Sequence, residues 1–303
     1  MDALSTILET TRLRSMVYDK FVVSGAWGVD ITEDNNSQFW RLIKGKCIVG
    51  LPDNTLIEMQ EGDLVYISHG GGHWIADSPS SLRIPAQKYV KARHDGIPVF
   101  SDKGDTTTLI GGHFTFDDQP HPFLKDLPRI IHIKQYETEN QLLLGQLLRS
   151  IFSELNEEKP GTKLMLKCLA EIAFVNIIRA YLEQDKLKNG FISALNDRQI
   201  SKSLKLMQDS PEIDWTLQSL ASEVGMSRSV FFNRFKKLVG ETPLNYLTDW
   251  RIRKAKDLLR TDKRNISEIA HSVGYLSEAA FNRVFKAKTN KTPAMYRRNE
   301  IAD

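Results

Sequence analysis

The sequence predicts an α+β multidomain chain: an N-terminal antiparallel β-barrel followed by helices, then an all-α domain with two helix-turn-helix units. Three observations predict this. Residues 18 to about 116 hold short runs rich in Val, Ile, Phe and Trp, parted by turn residues. Apolar residues recur at helical spacing from about residue 139 onward, and a stretch of about 50 residues near the C-terminal end occurs twice. A length of 303 residues suits two domains at roughly 100–200 residues each. With 41% hydrophobic and 26% charged residues, the composition excludes a disordered or fibrous chain.

The expected strands are Phe21-Val22-Val23, Trp27 to Ile31, Phe39 to Leu51, Leu56 to Met59, Asp63 to Ile67 and Thr107 to Phe116. They are short and separated by Gly, Pro, Asn and Asp turns such as Pro52-Asp53-Asn54, which favours an antiparallel barrel or sandwich over a parallel sheet. Leu142, Leu143, Leu147, Leu148 and Ile151 then mark one helix. Leu164, Leu166, Leu169, Ile172, Ala173, Ile177 and Tyr181 mark a second, after a turn at Pro160-Gly161. The polar stretch Asp185 to Gly190 is the candidate linker. The expected organisation is therefore a barrel over 1–135, joining or dimerisation helices and linker over 136–190, and a third part over 191–303.

The most apolar stretch, Leu164 to Leu182, is interrupted by Lys167, Glu171, Asn176 and Arg179, so it does not read as a membrane span. The first residues lack a basic n-region and an apolar h-region, and the protein is expected in the cytoplasm. Cys47 and Cys168 have no CxxC spacing; they read as reduced structural thiols, with redox sensing as the alternative.

Charge is unevenly placed. Residues 195–303 hold 20 Lys and Arg against 13 Asp and Glu, a balance of +7, while the rest of the chain stands at −4. A basic block beside an acidic partner domain suits a polyanion-binding module, although charge alone does not separate DNA from an acidic protein or a membrane surface.

The repeat decides more. Leu220-Ala221 and Val224-Gly225 recur 49 residues later as Ile269-Ala270 and Val273-Gly274; after one inserted residue the offset becomes 50. From there Ser227, Phe231, Phe235, Lys236, Thr242, Pro243 and Tyr246 match Ser277, Phe281, Phe285, Lys286, Thr292, Pro293 and Tyr296. Two copies of one supersecondary unit fit a paired module and are too few for a solenoid. Each copy has the parts of a helix-turn-helix. Apolar residues four apart bury the first helix, and a small alanine allows a close crossing. Gly225 and Gly274 end that helix, Ser227 and Ser277 cap the next, and the paired phenylalanines anchor it. The face left free offers Ser229, Phe232, Asn233 and Lys236 in the first copy, with Arg228 at its start and Lys237 at its end. In the second it offers Glu278, Ala279, Asn282, Arg283 and Lys286. Arg and Asn can pair bidentately with guanine and adenine edges, and Lys near a helix end suits phosphate; a merely solvated face is the alternative for any single residue.

On these residues, 195 to 298 resemble the DNA-binding domain of the AraC/XylS family of transcription regulators. Gly240, Arg251, Ala255, Leu258-Leu259, Ile266, Tyr275 and Arg297 extend the resemblance. It implies that Pro243 to Arg260 form a long helix holding the two units rigidly, with Asn290 as a left-handed terminus where glycine is common. The segment Gly62 to His73 resembles the second motif of the cupin barrel, with Ser68 in place of its proline. Together with Met1 to Leu13, Trp27-Gly28 and Gly111-Gly112-His113-Phe114, it resembles the cupin-type sensor domain of one branch of that family.

A cupin enzyme would hold a metal through its first motif, but Gln38 to Ile43, leading to Gly45, contains neither histidine nor carboxylate. No cofactor, no metal and no catalytic residue are therefore expected; three imidazoles, His69, His73 and His113, remain the alternative metal set. Trp27, Phe39, Trp40, His73 and Trp74 are the candidate lining of a ligand pocket, with core packing the favoured alternative for the aromatic residues. The resemblance implies a sequence-specific transcription regulator that responds to a small molecule or stress signal. Its partners would be promoter DNA, an effector, a second copy of the chain and, for an activator, RNA polymerase. The rival reading is a metal-dependent cupin enzyme with a helical appendage.

Overall fold

The computed structural model describes residues 5, 7–8, 13–18, 20–31, 36–100, 103–116, 121–134, 139–157, 159–183 and 190–300. Contacts divide the chain into two compact units: Leu13–Gln119 with Leu127–Lys186, and Met1–Arg12 with Pro120–Asp126 and Leu187–Asp303. Most of the expected linker, Asp185 to Gly190, lies outside the described residues.

The first unit is a sandwich of two sheets. Strands β1 (Leu13–Val17), β10 (Thr106–Phe116), β4 (Ser37–Lys44), β7 (Leu64–Ile67) and β11 (Ile130–Ile133) follow one another in one sheet, with β2 (Phe21–Ser24) also paired to β10. The other sheet runs β6 (Leu56–Gln60), β5 (Lys46–Gly50), β8 (His73–Ala76), β3 (Gly28–Ile31) and β9 (Ile84–Pro85). Among the described residues only the short β3–β9 pairing is parallel; the other pairings are antiparallel, as expected. The single expected run Phe39 to Leu51 is two strands in different sheets. Gly45 breaks it: its φ is +88°, and a Cβ there would stand 2.9 Å from the Thr106 carbonyl oxygen, so glycine alone turns this corner without strain.

Leu42, Cys47, Val49, Met59, Val65, Ile67, Ile75 and Leu109 meet between the sheets. Burial pushes the Cys47 thiol up to about 12, which suits an inert packing residue; Cys168 is exposed. Helix α1 (Ala86–His94), unforeseen by periodicity, follows β9. The two expected helices are α3 (Glu139–Asn156) and α4 (Thr162–Glu183). Phe174 of α4 packs on Phe114 and Tyr66, at ring-centroid distances of 5.0 and 5.9 Å, so this helix covers the face of the first sheet turned away from the core between the sheets. Among the described residues no helix is long and apolar enough to cross a membrane.

The second unit is helical: α2 (Pro122–Lys125), α5 (Phe191–Asn196), α6 (Arg198–Asp209), α7 (Leu217–Glu223), α8 (Arg228–Val239), α9 (Pro243–Thr261), α10 (Ile266–Ser272), α11 (Glu278–Thr289) and α12 (Pro293–Glu300). The turn carrying α2 comes from the sequence between β10 and β11 yet belongs to this unit. Its Asp126 carboxylate accepts the Phe191 N–H at 2.7 Å, and Gly190 is so close to Asp126 that a Cβ would meet the carboxylate at 2.9 Å. His121 Nδ1 accepts from the Phe123 N–H at 3.1 Å, which leaves Nε2 to donate to the Tyr246 hydroxyl at 3.4 Å. The Phe191 ring stands edge-on to His121, 4.9 Å away.

Burial, with Arg253 and Lys125 adding positive potential, holds the His121 imidazole well below its usual range. The unfolded chain then binds a proton that the folded chain refuses, from about pH 6.5 down to the depressed folded value, so stability rises with pH across that window and is lost as pH falls through it. Urea midpoints measured between pH 7.5 and 5.5 should fall with pH in the wild type and fall less in His121→Gln. Equal slopes would mean that His121 takes up its proton as readily in the fold as in the unfolded chain.

Candidate nucleic-acid interface

Both helix-turn-helix units form as the repeat requires, and local chemistry sets each boundary. Helix α7 starts on Thr216, whose hydroxyl accepts the Ser219 N–H at 3.0 Å in a reciprocal capping box; α10 starts on Asn265, paired in the same way with Glu268. Gly225 (φ +67°) and Gly274 (φ +88°) make the turns. Ser227 then caps α8 and Ser277 caps α11 through the Val230 and Ala280 N–H groups. Left-handed residues stop both second helices, Gly240 at φ 85° and Asn290 at φ 59°.

Phe231, Phe235 and Val239 bury one face of α8, while Phe281 and Phe285 bury one face of α11. The opposite faces are open. Arg228, Ser229, Asn233, Lys236 and Lys237 are exposed on α8, as are Glu278, Ala279, Arg283 and Lys286 on α11. Two expected readers sit differently: Phe232 is half-buried, and Asn282 is half-buried with its Oδ1 out of solvent and lacking a hydrogen-bond partner among the described residues. Lysines cluster in the last turn of each helix, Lys236 and Lys237 in α8 and Lys286 and Lys288 in α11.

Sequence reasoning passed over four residues here. Val230 and Leu276 are exposed large apolar side chains beside the basic faces, and Leu276 is the residue inserted in the second copy, which is the signal that could have found it. Arg234 and Lys288 point to other helices instead. Arg234 Nε donates to the Asp197 carboxylate at 2.8 Å, and Lys288 pairs with Asp249 at 2.6 Å, so each ties its reading helix to a neighbour.

The β-sandwich unit has a cavity of about 900 Å³. Met16, Phe21, Val29, Ile31, Ile75 and Leu109 supply apolar wall, Tyr18 and Gln38 uncharged polar groups, and α1 covers one side through Ala86, Tyr89, Val90 and Arg93. Of the five residues expected to line a pocket, Trp40 alone does. Trp27 and Phe39 are buried in the packing, Trp74 lies under the Arg83 guanidinium at 4.3 Å, and His73 is buried accepting the Trp40 indole N–H at 3.0 Å. Strand alternation turns Phe39 and Trp74 away from the faces that carry Trp40 and Ile75, while His73, on the face of Ile75, is held by Trp40.

His69, His73 and His113 do not converge. His69 Nε2 meets the Leu127 carbonyl oxygen at 2.7 Å, His73 is bound to Trp40, and His113 Nδ1 meets the Tyr18 hydroxyl at 2.9 Å. Among the described residues no three His, Cys, Asp or Glu side chains gather as metal ligands. Metal analysis of the purified full chain should give far less than one zinc or iron per chain; one equivalent, lost in His73→Ala, would restore the metal set.

Residues 2–183 match the family model described as Cupin, and residues 220–299 match that described as Helix-turn-helix domain. A putative AraC-like transcription regulator of Streptomyces lividans is 30% identical over 304 residues, covering 99% of each chain. Another of the same description, from Streptomyces antibioticus, is 29% identical over 99% of this chain and 100% of the relative. The HTH-type transcriptional regulator AlkR of Acinetobacter baylyi is 30% identical over 98% of this chain and 99% of its own. With both parts matched in order and this similarity running the whole length, the chain belongs to the AraC-like transcription regulators and is a DNA-binding regulator built from a cupin domain and a double helix-turn-helix domain.

Proposed function

We propose that this regulator reads promoter DNA with α8 and α11 as a fixed pair and takes a largely apolar small molecule into the barrel cavity as its effector. The observation that carries the first part is that two capped helices, each buried by phenylalanines on one side, present Arg, Asn and Lys on the other while flanking one helix. Such a pair suits successive major grooves on one face of the duplex, about 34 Å apart. Asn233 and Arg283 are the candidates for bidentate base contacts, and Lys237 for phosphate. Exposed Leu142, Leu143, Leu164, Met165 and Ile172 on α3 and α4 support a dimerisation role for those helices. An activator would also meet RNA polymerase.

Binding of the full chain to a selected target and to scrambled DNA tests this reading. Asn233→Ala and Arg283→Ala should each lose roughly 1–3 kcal/mol on the target and relax base preference in one segment. Lys237→Ala should weaken all sequences about equally. Two to five extra base pairs between the segments should weaken wild-type binding. Unchanged preference in both variants would mean that other faces read the DNA.

The cavity volume lies within the range of about 300–1,000 Å³ usual for small-molecule sites. Its mainly apolar wall favours an apolar body, and Tyr18 and Gln38 are placed to meet a polar group on it. The neutral probe N-phenyl-1-naphthylamine should gain fluorescence on binding. Ile31→Trp, which projects a bulky ring from the wall into the cavity, should weaken it about tenfold or more, whereas Trp74→Phe, away from the wall, should not. Equal binding by all three proteins would place the apolar site elsewhere.

A further inference from the structure

We propose that Arg251 and Gly274 set the spacing at which the two reading helices engage DNA, by joining the first helix-turn-helix to the second beside the helix they share. The inference rests on the reading that α8 and α11 act as a pair. It adds that the shared helix is not the sole determinant of their separation.

Helix α9 packs against the two cores with opposite ends. Tyr246 packs on Phe235 of the first and Trp250 donates to the Gln208 carbonyl at 3.2 Å, whereas Ile252, Ala255 and Leu259 belong to the second, with Ile269, Val273, Phe281 and Phe285. A single helix permits bending and twisting between its ends, and that freedom would blur the separation of two units attached to it. Arg251 lies at the handover. Its Nε donates to the Pro211 carbonyl and its Nη2 to the Ile213 carbonyl, both at 2.8 Å, which ties it to the segment leading into the first helix-turn-helix. The same guanidinium lies 5.8 Å from the centre of the Tyr275 ring, in the turn of the second. A planar guanidinium holds two carbonyls on separate nitrogens and keeps an aromatic ring beside it in one fixed geometry, whereas an ammonium offers its donors from a single atom with no fixed plane.

Gly274 completes the joint. A Cβ there would fall 2.5 Å from the Pro211 oxygen and 2.7 Å from Arg251 Nη2. Its repeat counterpart, Gly225, would meet nothing within 4 Å. Both glycines serve a positive φ, but only Gly274 also brings the turn of one unit against the backbone of the other. Arg251 and Gly274 lie outside both phenylalanine-anchored cores and off the reading faces, so removing the joint frees the relative placement of two units that each stay folded.

The test is selection by the full chain from duplex pools with two randomised segments at varied spacing, followed by affinity measurements. Wild type should recover one spacing and lose about tenfold or more in affinity on a change of two base pairs. Arg251→Met should recover several spacings and lose less than about threefold on the same change, with single-segment affinity held within about twofold; Gly274→Ala should broaden the spacing more than Gly225→Ala, which carries the same positive-φ strain but meets no neighbour. Arg251→Lys, which keeps the charge and loses the fork, should behave like Arg251→Met. Variants that keep one sharp spacing overturn the proposal, as does loss of single-segment binding by both Arg251→Met and Gly274→Ala, which would make the joint purely structural. Wild type that accepts every spacing equally would instead sink the paired reading itself.

Discussion

Helix α9 contributes to two hydrophobic cores at once, and the arrangement of the DNA-binding part depends on that sharing. A helix-turn-helix presents a reading face only because its other face is fixed, and here residues of α9 pack against the buried face of each unit. Phe231 and Phe235 need Tyr246, which stands edge-on to Phe235 at 5.9 Å; Phe281 and Phe285 need Ile252, Ala255 and Leu259. Pro243 at the first turn and Thr242 as its cap start this helix cleanly, so its register against both cores is determined at one end.

The turn from His121 to Asp126 is continuous in sequence with the β-sandwich on both sides, yet its buried Phe123 and Leu124 lie in the helical unit. Through His121 and Tyr246 this turn joins the polar network that includes Gln208, whose amide donates to the Tyr246 hydroxyl at 2.7 Å. A neutral, fully buried imidazole suits that position, since one ring nitrogen must accept while the other donates. Cupin sequence and DNA-binding core are thus interleaved along the chain, not simply consecutive. In the sandwich itself the two sheets leave room for a cavity because the large aromatic residues Trp27, Phe39 and Trp74 pack outside its wall.

Local sequence determined a good deal. Period and caps marked α3, α4 and the paired helices; the repeat identified both turns, both serine caps and the left-handed Asn290; and the free faces named from helical angles are largely the exposed ones. Each of these depends on neighbours within a few residues, where backbone geometry leaves little choice. Strands were legible where β-branched and aromatic residues ran together. Strand β1, with Arg14 and Ser15 exposed or half-buried along it, and β11, with His132 in its middle, carried too little apolar contrast.

What only the tertiary structure decided depends on residues distant in sequence. The cavity wall draws on seven strands and a helix, so no spacing rule could sort Trp40 from Trp74. His69, His73 and His113 are kept apart by partners elsewhere in the sandwich. The repeat treats Gly225 and Gly274 alike, and only the fold brings Pro211 and Arg251 against one and leaves the other open. A sequence repeat records the conformation each copy must adopt; what each copy touches is decided by packing across the fold, where the same residue meets different atoms.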